Sequence, residues 1–359
     1  MKVSKPGRRG SGRITAEDVA RRLGVSQSTI SRAFSPSASI SENMKKRVAS
    51  AALELGYQPN VIARSLITRR TDIVAIVIGN LVDPFYTTLL RILTERLQAS
   101  GKQTLLFSSS QAGGLDAILP TLLQYQVDGI VITSAAVSSD MVRICAKRET
   151  PVVLLNRYVP GIEISAVSCD NVEGGRQMAR YLVELGHERL AFVSGQPDAS
   201  TSLDRQQGFI SELAQYGISS CVIEQAGEYS YEAGYEAALR LMRSGNVPDG
   251  VFFASDIMAI GGMDAFRAKG LSIPHDISVV GFNDVPLAAW PTYSLTTVRH
   301  PWEEMADSVV EMLGLDAGAT PKKATTQLIP GALIQRSSAG PRSGQAPRPF
   351  ARSARHGPQ

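Results

Sequence analysis

Two hydrophobic patterns follow one another along this chain, and they change over near residue 70. Up to that point apolar positions are sparse and return every three or four residues, the period of a helix with one buried face. Ala16, Val19, Ala20 and Leu23 form the first stripe, with Thr15 and Asp18 at capping-box spacing ahead of it and Gly24 behind. Ser26 can cap a second helix that carries Ile30, Ala33 and Phe34 on one side. Ser41 can cap a third, with Met44, Val48, Ala51 and Leu55 aligned and Gly56 at its end. Residues 71–336 read differently. Short apolar runs at 73–78, 104–107, 129–133, 151–155, 190–193, 251–254 and 277–282 alternate with helical patterns around 86–99, 116–124, 139–148, 173–185, 203–215, 231–243, 257–269 and 302–313. That alternation predicts parallel βαβ units with both sheet faces covered. Two sheets are expected, divided near residue 160, with a return crossing late in the chain.

Two short helices joined at a glycine, with a third closing their core, make a helix-turn-helix, whose second helix enters the DNA major groove. Here that helix is "VSQSTISRAF", and its outer face is small and polar. Ser26, Thr29 and Ser31 let the helix approach phosphates closely, while Gln27, Ser28 and Arg32 can reach base edges. The charge distribution supports this reading. Residues 1–70 hold fourteen Lys/Arg and four Asp/Glu, whereas residues 71–336 hold nineteen and twenty-nine. A basic head on an acidic body suits a polyanion at one end only.

The next stretch, "YQPNVIARSLITRR", offers a helix start at Pro59 and Asn60 and then only about seven residues, too few for a stable isolated helix. Its residues suit a minor groove: Ala63 permits close approach, Arg64 supplies charge and Leu66 can wedge between base steps. A plain linker is the alternative. No apolar run nears the roughly 20 residues of a membrane helix, and no apolar segment follows the basic start "MKVSKPGRRGSGR" as a secretory signal would require. Three cysteines without C-x-x-C spacing favour free thiols, so a cytoplasmic location without membrane contact is expected.

In open parallel sheets ligands bind beyond the carboxyl ends of the strands. Polar or aromatic groups stand there in at least six loops: Asp83, Phe85 and Tyr86; Ser109; Asn156 and Arg157; Asp204 and Arg205; Ser255 and Asp256; Asn283 and Asp284. A polar cleft is expected. An enzyme is not, since no G-x-S-x-G, H-E-x-x-H, P-loop or G-x-G-x-x-G occurs, and no metal or cofactor is implied. The Gly pairs at 174–175 and 261–262 read as helix-packing positions.

The head "ITAEDVARRLGVSQSTISRAF…GYQPNVIARSL" resembles the DNA-binding domain of the lactose/galactose repressor (LacI/GalR) family. The body resembles that family's core at "DPFY", "PVVLLNR", "CDNVEGGRQMARYLVELGHERLAFVSG", "DRQQGF", "SDIMAIGGMDAFRAKGLSIPHDISVVGFND" and "LTTVRHP". The resemblance implies an N-terminal all-α helix-turn-helix domain on an α/β core of two Rossmann-like, periplasmic-binding-protein-like (type I) lobes. It implies a homodimeric repressor of double-stranded, pseudo-palindromic operator DNA, with Leu66 as the hinge lever. Its small-molecule effector, sugar-like, would touch Phe85, Tyr86, Asn156, Arg205, Tyr229, Ser255 and Asn283. One departure stands out: the family often has a carboxylate where this chain has Asn283, and Asp284 is the neighbour that could substitute. A secreted sugar-binding protein could share the body but has no use for the head. The expected organisation is a disordered basic arm (1–13), the helix-turn-helix (14–58), a hinge helix and linker (59–70), the two-lobed core (71–336) and a disordered tail (337–359). The tail, with four prolines and no leucine, isoleucine or valine, cannot supply a leucine-heptad helix, so a dimer and not a tetramer is expected.

Overall fold

The computed structural model describes residues 14–34, 39–58, 70–79, 83–109, 114–133, 144–145, 150–243, 245–315 and 323–342. The chain divides into two compact units between Thr71 and Asp72.

The first unit holds α1 (Ala16–Leu23), α2 (Gln27–Ala33) and α3 (Glu42–Leu55). The capping box forms as the spacing predicts: the Asp18 amide donates to the Thr15 hydroxyl at 3.4 Å, and the Thr15 amide donates to the Asp18 carboxylate at 3.0 Å. Gly24 ends α1 at φ 67°, a left-handed cap that glycine adopts without steric cost. Val19, Ala20, Ile30, Val48 and Ala51 are the buried core, with Leu23, Phe34, Leu55 and Tyr57 packed around them. Asn60, Ala63, Arg64 and Leu66 lie outside the described residues, as does the arm 1–13.

The second unit is a two-lobed α/β core. Strands β1 (Ile73–Ile78), β2 (Gln103–Ser108), β3 (Gly129–Ile132), β4 (Val152–Leu155), β5 (Ser165–Cys169) and β11 (Thr326–Ile329) make one sheet in the order β11-β5-β4-β3-β1-β2. All of its pairings are parallel. Helices α4 (Pro84–Ala99), α5 (Gly114–Gln124) and α10 (Trp302–Leu313) belong to this lobe, where Arg96 on α4 meets Asp307 on α10 at 3.1 Å. The second sheet is parallel too, in the order β7 (Cys221–Gln225), β6 (Leu190–Ser194), β8 (Gly250–Phe253), β9 (Ser278–Val280). Its helices are α6 (Asn171–Glu184), α7 (Ser200–Gln215), α8 (Tyr231–Arg243) and α9 (Asp256–Ala268). A small antiparallel pair, β10 (Thr297–Arg299) with β12 (Ala332–Ile334), completes the unit.

The sheets divide near residue 170 rather than 160, because β5 still belongs to the first lobe. The chain crosses between lobes after β5, returns after β9 through β10 to α10, and crosses again after β11. The glycine pairs do serve helix packing. A Cβ on Gly175 would lie 2.3 Å from the Arg205 carbonyl oxygen, and one on Gly261 would lie 2.1 Å from that of Tyr231. Backbones this close leave no room for any other residue.

The packed chain also outruns its expected end. Ser338 and Ala339 are buried, and the Ser338 hydroxyl donates to the Val279 carbonyl at 2.6 Å. Arg342 pairs with Glu188 at 2.8 Å. The second lobe therefore extends to residue 342, and the tail shortens to 343–359, which lies outside the described residues. Small polar residues can complete a sheet edge without an apolar signal, which is why this segment read as tail. No helix among the described residues is long and apolar enough to cross a membrane.

Candidate functional site

The outer face of α2 is built by its own cap. The Ser26 hydroxyl accepts the Thr29 amide at 3.3 Å and shares hydrogen bonds with the Ser28 and Thr29 hydroxyls at 2.8 and 2.9 Å. Gln27, Ser28, Ser31 and Arg32 are exposed around it. Arg32 donates from Nε to the Ser28 carbonyl at 3.3 Å, which lays its guanidinium along the helix. Among the described residues it has no carboxylate partner, so its charge is available to a ligand.

In the second unit a cleft of about 440 Å³, part of it open to solvent, lies at the carboxyl ends of both parallel sheets. The first lobe gives it Asp83, Phe85 and Tyr86 from the β1–α4 loop, Thr133 after β3, and Asn156 and Arg157 after β4. The second lobe gives Gln196 and Ala199 after β6, Thr201 and Arg205 from the first turns of α7, Tyr229 before α8, and Asn283 after β9. Six of the seven expected effector contacts therefore line one cleft, three from each lobe: Phe85, Tyr86, Asn156, Arg205, Tyr229 and Asn283. Ser255 does not. It is buried with an unpartnered hydroxyl, and the neighbouring Ala254 carbonyl, not the Ser255 side chain, meets Arg205. Thr133, Gln196 and Thr201 escaped the sequence reading, although each sits within a few residues of a strand's carboxyl end, and that position was the available signal.

Each wall residue is held by the fold. Arg205 is buried, donating from Nε to Asn171 Oδ1 at 2.8 Å and from Nη1 to the Ala254 carbonyl, with its guanidinium 3.7 Å above the Phe282 ring. Burial works against its charge and lowers its pKa. Asp83 caps α4 by accepting the Phe85 amide at 2.9 Å. Burial pushes its carboxyl up to about 6, opposed by that hydrogen bond and by the charge of Arg205. The Tyr229 hydroxyl shares a hydrogen bond with Thr201 at 3.1 Å, and its ring lies against Gly195, where a Cβ would come within 2.4 Å of it. Gly195→Ala should therefore push the Tyr229 ring out of place and weaken ligand binding about tenfold, while far-ultraviolet circular dichroism stays unchanged. Unchanged affinity would take Tyr229 off the binding wall.

Asn283 and His300 form a pair beneath the cleft. His300 is buried, stacked on Trp302 with centroids 4.5 Å apart, and flanked by Phe85 and Phe282. Burial, with the Arg205 charge, holds its pKa well below the usual histidine value, so the ring is neutral. Its Nε2 lies 3.0 Å from Asn283 Oδ1, and Nδ1 has no partner. A buried orphan N–H is costlier than a buried orphan lone pair. The proton therefore sits on Nε2 and is donated to Oδ1, which leaves the Asn283 amide nitrogen as a donor toward the cleft. Asp284 does not substitute for a missing carboxylate. It is locked to Arg299 and Arg336, each at 2.6 Å, and is not on the wall.

Residues 15–60 match the family described as bacterial regulatory proteins, lacI family, and residues 179–339 match the periplasmic binding protein-like domain. The transcriptional regulator CelR of Thermobifida fusca is 31% identical over 309 residues, covering 84% of this chain and 91% of its own. The chain belongs to the LacI family. Among solved structures, the lac repressor dimer bound to operator and the anti-inducer ONPF has 25% identity and a TM-score of 0.81, covering 91% of this chain and 99% of its own. The CelR–cellobiose complex has 29% identity and a TM-score of 0.66, covering 91% and 100%. This LacI-family chain is accordingly a DNA-binding transcriptional regulator, as its relatives are, and not an enzyme.

Proposed function

We propose that this LacI-family regulator is a cytoplasmic homodimeric repressor whose operator affinity is set by a sugar or sugar derivative held between its lobes. In this reading the two α2 helices of the dimer read half-sites of a pseudo-palindromic duplex. Gln27, Ser28 and Arg32 contact base edges, and Ser26, Thr29 and Ser31 lie close to phosphates. Asn60, Ala63, Arg64 and Leu66 form the hinge that enters the minor groove between the half-sites. A ligand that binds one arrangement of the lobes better than the other shifts the protein toward it, and the hinge starts move with the lobes.

The observation that carries the ligand half of this reading is Arg205, a buried guanidinium fixed on two sides and opening on the cleft. Around it, Asn156 Oδ1 is buried without a partner and Tyr229 offers an aromatic edge, a set that suits hydroxyls on one side of a sugar and its apolar face on the other. The test is selection of binding sites from a randomised duplex pool, then titration of the complex with sugars, polyols and purines. Arg32→Ala should cost about 1–3 kcal/mol on the selected site and relax its sequence preference, as loss of a bidentate base contact does. An equal loss on selected and scrambled DNA makes Arg32 a phosphate contact. Failure of every sugar to alter the complex overturns the ligand assignment.

A further inference from the structure

We infer that the cleft selects a monoanionic sugar, one that carries a carboxylate, and that Asn283 sets this preference through its bond with His300. The inference rests on the ligand reading above and narrows it to a charge class.

It begins with a buried charge that no carboxylate touches directly, although the charges of Asp83, Asp204 and Asp256 reach it from farther off. Arg205 is 2% exposed, yet no carboxylate stands within ion-pair distance of it among the described residues. Buried cations are as a rule paired, because an unpaired one loses its hydration and gains nothing in return. The acceptors that Arg205 does have, Asn171 Oδ1 and the Ala254 carbonyl, are both neutral. The carboxylates around it are engaged elsewhere. Asp83 caps α4 through the Phe85 amide, Asp204 accepts the Tyr158 hydroxyl at 3.0 Å, and Asp256 accepts the Thr297 hydroxyl and the Val285 amide. The missing partner is one the ligand can bring.

Asn283 points the same way. A carboxylate at this position would accept from ligand hydroxyls and add negative charge to the cleft that Arg205 lines. The amide does neither. With Oδ1 taken by His300, it leaves N–H donors for the cleft that the Arg205 guanidinium also lines. Two donor groups in one cleft, with Asn283 Oδ1 already engaged, make a seat for an anion. A single negative charge fits better than two, since the Asp83 carboxylate shares the wall and repels a dianion. Away from this seat, the unpartnered Asn156 Oδ1 can accept a hydroxyl proton, and Tyr86 and Tyr229 supply apolar surface. The ligand thus combines a carboxylate end with a hydroxylated ring.

The test is calorimetric titration of the full-length protein with D-galacturonate and D-glucuronate, their neutral parents D-galactose and D-glucose, and D-glucose 6-phosphate. The expected result is that at least one sugar acid binds about tenfold or more tighter than its parent and than the phosphate. Asn283→Asp should weaken the acid about ten- to hundredfold and bring the neutral parent level with it or ahead of it. Melting curves verify that the variant is folded, and the ranking on the unaltered protein stands without it. Tighter binding of the neutral parents overturns this inference and leaves the ligand reading intact. Tighter binding of the phosphate overturns the single charge. An acid affinity untouched by Asn283→Asp removes Asn283 from the selection, and no binding by any of the five overturns the sugar reading together with this one.

Discussion

Arg205→Ala is expected to abolish the ligand response and to lower the melting temperature of the core, while binding of the helix-turn-helix to DNA persists. The side chain is at once a wall of the cleft and a brace inside the second lobe. Removing it leaves Asn171 Oδ1 and the Ala254 carbonyl without their donor, at about 1–3 kcal/mol for each unsatisfied buried group, and uncovers the Phe282 ring. Relief of an unpaired buried charge offsets part of that loss, so the net destabilisation should be about 2–4 kcal/mol. Arg205→Lys should not rescue it, because an ammonium cannot span both acceptors and stack on the ring. Thermal denaturation and ligand titration of the two variants check this. A lysine variant with normal melting and normal ligand affinity would show that charge alone, and not the guanidinium's geometry, is what the site uses.

The second large effect is a pH dependence seated at Asp256. This residue heads α9, fully buried, accepting the Thr297 hydroxyl at 2.6 Å and the Val285 amide at 2.9 Å. Burial is the main reason its carboxyl rises to about 7, against an ordinary value of 3.8, and the nearby Asp284 adds to the rise. The folded state thus holds this proton more tightly than the unfolded chain does. Stability from that protonation is fully present below about 3.8 and is gone above about 7, so the core should lose stability as pH climbs through this window. Asp256→Asn cannot ionise and can still accept the Val285 amide while donating to Thr297. Its stability curve should therefore be flatter between pH 4 and 7 than that of the unaltered protein. Denaturant unfolding at a series of pH values measures it, and two parallel curves would show that Asp256 keeps one protonation state throughout.

The parts of this architecture that show in the sequence are those whose burial is one-sided or complete. The helix-turn-helix was legible because Val19, Ala20, Ile30 and Val48 recur at a helical period with a capping residue ahead of each helix. Central strands such as β1 and β8 were legible because both of their faces are covered, so their residues are apolar throughout. The edge strands β2 and β9 were legible too, through the apolar runs at 104–107 and 277–282, but the edge strands β7 and β11 were not. β7 (CVIEQ) and β11 (TQLI) are half exposed and mix apolar with polar residues, and β10 and β12 are only three residues long. The strand β5 (SAVSC) is almost wholly buried but built from small residues, which carry little hydrophobic signal. The same divide runs through the site. Position after a strand, joined to the family resemblance, found Arg205, Tyr229 and Asn283. It could not tell Ser255, which is buried away from the cleft, from Thr201, which lines it beside Tyr229, since both simply follow a strand. Nor could it place Asp284, whose two arginine partners lie 15 and 52 residues away.

The late return of the chain has a consequence for synthesis. The first lobe needs β11, and the second needs Ser338 against Val279 and the Arg342 amide on the Leu185 carbonyl, so both lobes are finished by residues beyond 325. The three-helix head, by contrast, has its described core complete by Tyr57 and can fold soon after it leaves the ribosome. For most of translation a folded three-helix head is thus joined to an unfinished body whose apolar sheet faces are uncovered. The described residues from 326 to 342 are the ones that close both lobes, so the body is finished only as the last of them is made.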